Sequence, residues 1–300
     1  MVSSLLSLQR KFRIYSLGER MRVANSWKDY RVLATGDGEK LESWAGITLL
    51  RPDPQVIWHA KRDLKKNVDA YYERKDGGGL WHYNKTIPEQ WKIEWKDLKF
   101  IVKPMGFKHT GIFPEQAVNW EMMMNLIQQA KRPVKILNLF AYTGGASVAC
   151  SKAGASVTHI DASKGMVERA KENAKLNGIS NIRFIVDDCG KFIEREIRRG
   201  NTYDAIIMDP PSYGRGPSGE MWKLEDNLAD FVELTKKVLS NKPLFVLINS
   251  YTTGLQPTVI ANILKCVFGH ENVEADEIGL PTEEGLILPC GASGVKIWKN

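Results

Sequence analysis

Four short polar clusters in the second half of the chain each follow a run of apolar residues directly. They are Asn138-Leu139-Phe140-Ala141-Tyr142-Thr143-Gly144-Gly145, then Asp161, then Asp187-Asp188, then Asp209-Pro210-Pro211-Ser212-Tyr213. Paired glycines let a backbone turn tightly and pass close to a ligand. A carboxylate at Asp161 can accept two hydrogen bonds from a ribose diol, and one at Asp187-Asp188 can accept an adenine amine. Two prolines after Asp209 fix the backbone and stop the preceding strand, which holds the Asp209 side chain at an edge. Each piece alone is an ordinary turn or helix cap. Taken in order, three of them outline a crevice sized for a nucleoside, and the fourth faces the reacting group.

The elements that must position these clusters alternate. Apolar strand-like runs are expected at Val134–Phe140, Ser156–Ile160, Asn181–Val186, Asp204–Met208 and Leu244–Asn249. Helical patterns separate them at Gly145–Ala153, Ser163–Leu176 (opened by a serine cap), Cys189–Arg199, Leu224–Leu239 and Pro257–Phe268. A helix over Gln116–Lys131, with Ala117, Trp120, Met124 and Ile127 on one face, precedes the series. Val273–Leu280 and Val295–Trp298 supply two closing strands. The expectation is α/β: a Rossmann-like, seven-stranded, mostly parallel sheet covered on both faces, with ligands beyond the carboxyl ends of its strands.

The first part of the chain reads differently. Tyr30–Thr35 before Gly36-Asp37-Gly38, Gly46–Arg51 before Pro52-Asp53-Pro54, Tyr71-Tyr72 and Leu80–Tyr83 around Asp76–Gly79, and Phe100–Lys103 before Pro104 are short strands with turn signals. A smaller β-rich unit, an antiparallel sheet or partial barrel, is expected over residues 1–117, with the Rossmann-like domain over 118–300. Residues 1–117 hold 21 Lys and Arg against 14 Asp and Glu, whereas 118–300 hold 21 of each, so the whole net charge of +7 lies in the first unit. Seven of the nine tryptophans precede residue 121. Basic charge mixed with aromatics suits phosphate attraction and base stacking, which assigns substrate capture to this unit; a solubilising surface over a tryptophan core is the competing reading.

Nothing approaches the roughly 18 apolar residues of a membrane span. Met1–Leu8 is apolar but its basic residues follow rather than precede it, unlike a signal peptide. The scattered cysteines Cys150, Cys189, Cys266 and Cys290 have no zinc-type spacing, and no histidine has a metal-like partner in sequence, so no metal is expected and a reduced, cytoplasmic compartment is. Gly214–Glu220 is glycine-rich without the Gly-Lys-Ser/Thr ending of a P-loop, and reads as a lid with Arg215 available for a phosphate.

The Asn138–Gly145 and Asp209–Tyr213 stretches, with Arg51-Pro52-Asp53-Pro54-Gln55 and Thr110-Gly111-Ile112-Phe113-Pro114-Glu115-Gln116, resemble the class I S-adenosylmethionine (SAM)-dependent methyltransferases related to the bacterial large-subunit rRNA 5-methylcytosine enzymes, in the branch lacking a PUA domain. The resemblance spans about residues 30–300. It implies SAM as cofactor and RNA, rRNA first, as partner. It further implies that Gly144 and Gly145 pass the amino-acid moiety, Asp161 holds the ribose, Asp188 the adenine amine, and Phe113 and Gln116 border the cofactor. With their neighbours, the expected cofactor residues are Phe113, Gln116, Phe140, Tyr142, Thr143, Gly144, Gly145, Asp161, Ala162, Asp187, Asp188 and Asp209.

The chain departs from that group where carbon methylation needs a thiolate nucleophile. Past the fifth strand it reads Asn249-Ser250-Tyr251-Thr252, without cysteine. Cys150 and Cys189 fall in helices, which leaves Cys290, expected in a loop before the last strand, as the remaining nucleophile candidate. Direct attack by a base nitrogen or amine needs only alignment with the sulfonium. Asp209 and the Pro210 carbonyl would then accept its hydrogen bond, and Tyr213 would stack on the base. His109, beside the junction motif, is the one histidine close to this chemistry. Methylation of a protein or small molecule, and a degenerate RNA-binding domain without activity, stay open as alternatives; a nicotinamide oxidoreductase would need the Gly-x-Gly-x-x-Gly fingerprint that is missing.

Overall fold

The computed structural model describes residues 21–75, 78–215, 221–252 and 254–299. Met1–Leu8, the Asp76-Gly77 turn and most of the Gly214–Glu220 stretch read as a lid lie outside the described residues.

In chain order the strands of the first part are β1 (Met21–Val23), β2 (Tyr30–Gly36), β3 (Glu39–Trp44), β4 (Ile47–Pro52), β5 (Ala70–Lys75), β6 (Gly78–Tyr83), β7 (Trp91–Trp95) and β8 (Leu98–Val102). β2 to β6 form a five-stranded sheet and β7–β8 a separate hairpin. The turns explain the tight connections. Asp37 (φ 50°) with Gly38 (φ 81°), and Ala45 (φ 51°) with Gly46 (φ 89°), are consecutive left-handed pairs. Such pairs match the twist of the strands they join. The antiparallel expectation holds except at β4–β5, which pair in parallel through Leu49 and Leu50. A long excursion between those strands permits that direction.

The second part runs α1 (Ala117–Ala130), β9 (Lys135–Leu139), α2 (Gly145–Lys152), β10 (Ser156–Asp161), α3 (Lys164–Leu176), β11 (Ile182–Val186), α4 (Cys189–Arg199), β12 (Ala205–Met208), the short ribbon β13 (Tyr213–Arg215) and β14 (Met221–Lys223), α5 (Leu224–Lys236), β15 (Phe245–Ser250), α6 (Pro257–Phe268), β16 (Val273–Pro281) and β17 (Ile287–Ile297). Buried apolar runs such as Phe245–Ile248 form strands covered on both faces. The main sheet has the order β1-β16-β17-β15-β12-β9-β10-β11. Seven strands were expected; the described residues give eight, because β1 adds in parallel beside β16, with Met21 opposite Glu277. Ser163 stands at the start of α3 without capping it by its side chain; its N–H instead donates to Asp161 Oδ1 (2.8 Å).

One apolar core runs across residue 117. Trp27, Trp95, Phe100 and Trp120 pack ring against ring at 5.2–6.5 Å, with Val148 and Ile136 in the same cluster. Trp27, Trp44, Trp95 and Trp120 are buried. Several indole N–H groups are spent inside the protein: Trp27 on Pro114 O (2.8 Å), Trp95 on Ser26 Oγ (2.8 Å) and Trp91 on Trp44 O (3.0 Å). The stacking role read from the tryptophan excess is therefore corrected for these four buried rings. They build the junction: all four lie in one apolar cluster, Trp27 and Trp95 with an acceptor for the N–H and Trp44 without one among the described residues.

Candidate active site

The strand-end clusters converge as the sheet order requires, since β9, β10 and β12 are neighbours and β15 flanks β12. Between the strand ends and the Gly111–Gln116 crossing lies a cavity whose walls include Phe113, Gln116, Phe140, Tyr142, Thr143, Gly145, Asp209 and Asn249. Asp161 ends β10, Ala162 follows it, and Asp187 and Asp188 follow β11, so these four lie at adjacent strand ends and, like Gly144, outside the walls of that cavity.

The loop after β9 is bent by alternation. Phe140 (φ 54°), Tyr142 (φ 50°) and Gly144 (φ 84°) are left-handed, which for an aromatic residue is a conformation the surroundings must hold. Phe140 N–H donates to Cys189 Sγ (3.3 Å), Ala141 N–H to Ile160 O (3.0 Å), and Tyr142 N–H to Asp161 Oδ2 (2.8 Å). Thr143 Oγ1 donates to Gly111 O, which ties the loop to the junction. The glycines serve this packing. A Cβ on Gly145 would lie 2.7 Å from the Trp120 ring, and one on Gly144 would lie 2.9 Å from Ala170 Cβ.

Asp161 is half-buried, and burial pushes its carboxyl up despite the two N–H groups it accepts. Asp187 accepts from Asp188 N–H (2.9 Å) and is ion-paired with Arg195. Asp188 caps α4 through Lys191 N–H (2.9 Å). Asp209 has the most unusual environment: burial, then the nearby Glu115 carboxyl, pushes it up to about 7. Pro210 is buried behind it, while Tyr213 is 58% exposed, its hydroxyl 3.4 Å from Met221 Sδ.

An aromatic wall closes the junction side. Phe113 lies 5.3 Å from Tyr142 and 5.5 Å from Tyr251, and His109 lies 5.5 Å from Phe113. Burial and the cations Arg51, Lys108 and Lys40 push His109 down to about 4, so it is a neutral member of the wall. Behind the wall is a buried amide network that the strand-end clusters alone did not reveal. Asn119 Nδ2 donates to Gln116 Oε1 (2.8 Å) and to Asn249 Oδ1 (3.0 Å), and Gln116 Nε2 donates to the Tyr251 hydroxyl (2.6 Å).

Cys290 is not in a loop but within β17, where Gly291, Ala292 and Ser293 continue the strand. Its thiol is buried and donates to Leu288 O (3.4 Å). Burial pushes it well above the ordinary thiol range, so it is held neutral where a nucleophile would need the anion. Cys150 and Cys189 are likewise buried and pushed up. Among the described residues no group of acidic, histidine or cysteine side chains could hold a metal ion, and no helix is long and apolar enough to cross a membrane.

A family profile described as S-adenosylmethionine-dependent methyltransferase matches residues 47–250, which takes in the junction crossing and every strand end above. The chain belongs to that family. This methyltransferase is 33% identical to a SAM-dependent methyltransferase from Agrobacterium tumefaciens of known crystal structure, with a TM-score of 0.87 over 93% of each chain. It is 35% identical over 47% of its length to ribosomal RNA large subunit methyltransferase K/L of Pseudoalteromonas translucida (strain TAC 125). It is 34% identical over 50% of its length to ribosomal RNA large subunit methyltransferase I of Aeromonas salmonicida (strain A449). Those matches span only 20% and 38% of the two curated relatives. SAM is the methyltransferase's cofactor, and the donor set suits it: carboxylates at two strand ends for hydroxyl and amine donors, and an apolar, aromatic cavity beside them.

Proposed function

We propose that this protein transfers the methyl group of SAM directly to a nitrogen or amine of a base in RNA, with rRNA the first substrate to test. The observation that carries the reading is Asp209, a carboxyl in the cavity wall just past β12 that burial and the Glu115 carboxyl push up to about 7, with no cysteine among the described residues lining that cavity. SAM supplies the electrophilic methyl sulfonium. Asp161, with two oxygens and two N–H donors already accepted, keeps lone pairs for a diol. Asp188 is the carboxylate for the adenine amine, since Asp187 is committed to Arg195. Phe113 and Tyr142 flank the cofactor, and Gly145 and Ala146 open α2 beside its amino-acid end. Asp209 and the Pro210 carbonyl accept the hydrogen bond of the attacking amine, and exposed Tyr213 stacks on the base. The names of the two curated relatives support RNA, as does the surplus of positive charge before residue 118.

The test is transfer of tritiated methyl from SAM to ribosomal subunits, free rRNA and protein fractions, followed by mass spectrometry of nucleosides. Label on a base nitrogen is the expected result. Label in protein, or a covalent complex with RNA containing 5-fluorocytosine, would overturn it.

A further inference from the structure

The turn Asp209-Pro210-Pro211-Ser212 cannot hold its shape through its own backbone donors, because two prolines in succession offer no N–H. Its orientation has to be imposed from outside, through its carbonyls and the Ser212 side chain. Among the described residues three donors do this, each from a different element. The indole N–H of Trp222 on β14 donates to Pro211 O (2.7 Å). The N–H of Leu224, the first residue of α5, donates to Ser212 O (3.0 Å). The Thr252 hydroxyl, past β15, donates to Ser212 Oγ (2.7 Å). The second bond has a local cause: Lys223 gives α5 no side-chain cap, so an N–H of its first turn needs an acceptor from elsewhere.

Of the three, Trp222 also reaches the cavity wall. Strand alternation leaves Met221 and Lys223 exposed and turns Trp222, between them, inward. There its ring lies 5.6 Å from Phe140 and 5.5 Å from Phe231, and those two rings are 5.4 Å apart. Phe140 is a wall of the cavity, held at a φ of 54°, and Phe231 is buried on α5. Three rings in mutual contact leave the indole little freedom to rotate, so its N–H has one direction, and Pro211 O lies on it. One side chain thus joins a wall of the cavity to the turn that begins at Asp209. The ladder extends the constraint: Trp222 pairs with Gly214 and Lys223 with Tyr213, so a fixed Trp222 also fixes the strand that carries Tyr213.

We propose that Trp222 is a positioning residue for methyl transfer: its ring rests on the cavity wall at Phe140, and its N–H holds the Asp209–Ser212 turn in register with that wall. This rests on Asp209 and the Pro210 carbonyl as the groups that meet the acceptor. The Leu224 and Thr252 bonds hold Ser212, whereas the Trp222 bond holds the residue next to Pro210. Direct transfer needs the attacking atom in line with the methyl carbon and the sulfur, so a small displacement of this turn lowers the rate and leaves cofactor binding intact.

The experiment compares Trp222→Phe with the native full-length protein in single-turnover transfer of tritiated methyl to the fraction that accepts label, beside calorimetry with SAM. Phenylalanine keeps a ring against Phe140 and removes the N–H. The rate should fall about 10-fold or more while the Kd for SAM stays within about two-fold. An unchanged rate overturns the proposal. So does a loss of SAM affinity as large as the loss of rate, which would make the ring a wall of the cofactor site and nothing more. Should Trp222→Phe not fold, benzothienylalanine incorporated at position 222 decides by the same two measurements, since it exchanges the indole N–H for sulfur at nearly the same shape. One readout needs no acceptor: the indole N–H resonance that either variant removes should shift when SAM binds, and an unmoved resonance overturns the proposal. Asp209→Asn tests the underlying chemistry separately. If it leaves the rate unchanged while Trp222→Phe lowers it, the positioning stands and Asp209 as acceptor falls; if only Asp209→Asn lowers the rate, the positioning role falls alone.

Discussion

Replacing Arg51 by leucine should cost about 3–5 kcal/mol of stability, because it strands a buried carboxylate. Glu42 is 0% exposed and receives Arg51 through two hydrogen bonds, at 2.6 and 2.7 Å, with a third from the Tyr30 hydroxyl at 2.7 Å. Arg51 also donates to Lys108 O (3.0 Å), at the edge of the cavity wall. Without the guanidinium, Glu42 keeps one neutral donor and Lys40 as its remaining cation. With a urea slope of about 3 kcal/mol per molar, the midpoint of unfolding should fall by about 1 M or more. The double variant Arg51→Leu with Glu42→Leu removes both charges and should regain most of the loss. The pH dependence has a definite sign. Arg51 and Lys40 hold Glu42 below the ordinary carboxylate range, so its contribution is fully present above the unfolded-state value and disappears as pH falls through the folded one. Arg51→Leu should therefore flatten the acid limb of stability. If the single and double variants unfold at the same urea concentration, the pair is not the source of the stability, and the reasoning from the buried carboxylate fails.

Asp209→Asn should lower methyl transfer about 100-fold or more while leaving SAM affinity within a few-fold, measured by single-turnover transfer and calorimetry. Asp161→Ala should weaken SAM binding about 10- to 100-fold in calorimetry, since it loses the diol acceptor and the anchor of Tyr142 N–H together; unchanged binding would remove Asp161 from the site. Gly145→Ala places a methyl 2.7 Å from Trp120 and 2.9 Å from Ile112, both buried, so overpacking of about 1–3 kcal/mol should lower the melting temperature by several degrees.

The alternating half of the fold was legible because its signals are redundant. Cys189–Arg199 and Pro257–Phe268 fall on their predicted bounds, where a cap or a proline marks the start and a glycine with positive φ (Gly200, 68°; Gly269, 88°) the end. What escaped did so for physical reasons. β3 reads Glu-Lys-Leu-Glu-Ser-Trp, and its burial depends on an ion pair that hydropathy cannot register. β17 was cut short because Pro289, Gly291, Ser293 and Gly294 look like loop. In place, a Cβ on Gly294 would come within 2.5 Å of Ile260, so small residues are what let α6 lie on the strand. At the site, Asn249 and Tyr251 were considered for the cysteine they lack. They are the polar residues after the next strand, and the strand-end rule that singled out Asp161 and Asp209 applies to them equally. Asn119 left no comparable signal: it lies inside a helix, and its partners beyond the neighbouring Gln116 are Arg22 and Asn249, 97 and 130 residues away along the chain.

The outermost strand of the main sheet has a temporal consequence. Met21, Arg22 and Val23 find their ladder partners at Glu277, Ile278 and Gly279. Met21 is synthesised 256 residues before Glu277, so during synthesis the three must wait, unpaired, for that whole stretch of chain. Contacts that distant in sequence close last and carry the largest loop-closure cost. Because Arg22 donates to Asn119 of the buried amide network, the nascent enzyme can complete its sheet core before Gln116 and Asn249, which line the cavity with Asp209, acquire their final order. Competence for chemistry then arrives as a late, separate event in folding, and a pulse-labelled hydrogen-exchange experiment should find β9 and β12 protected before β1.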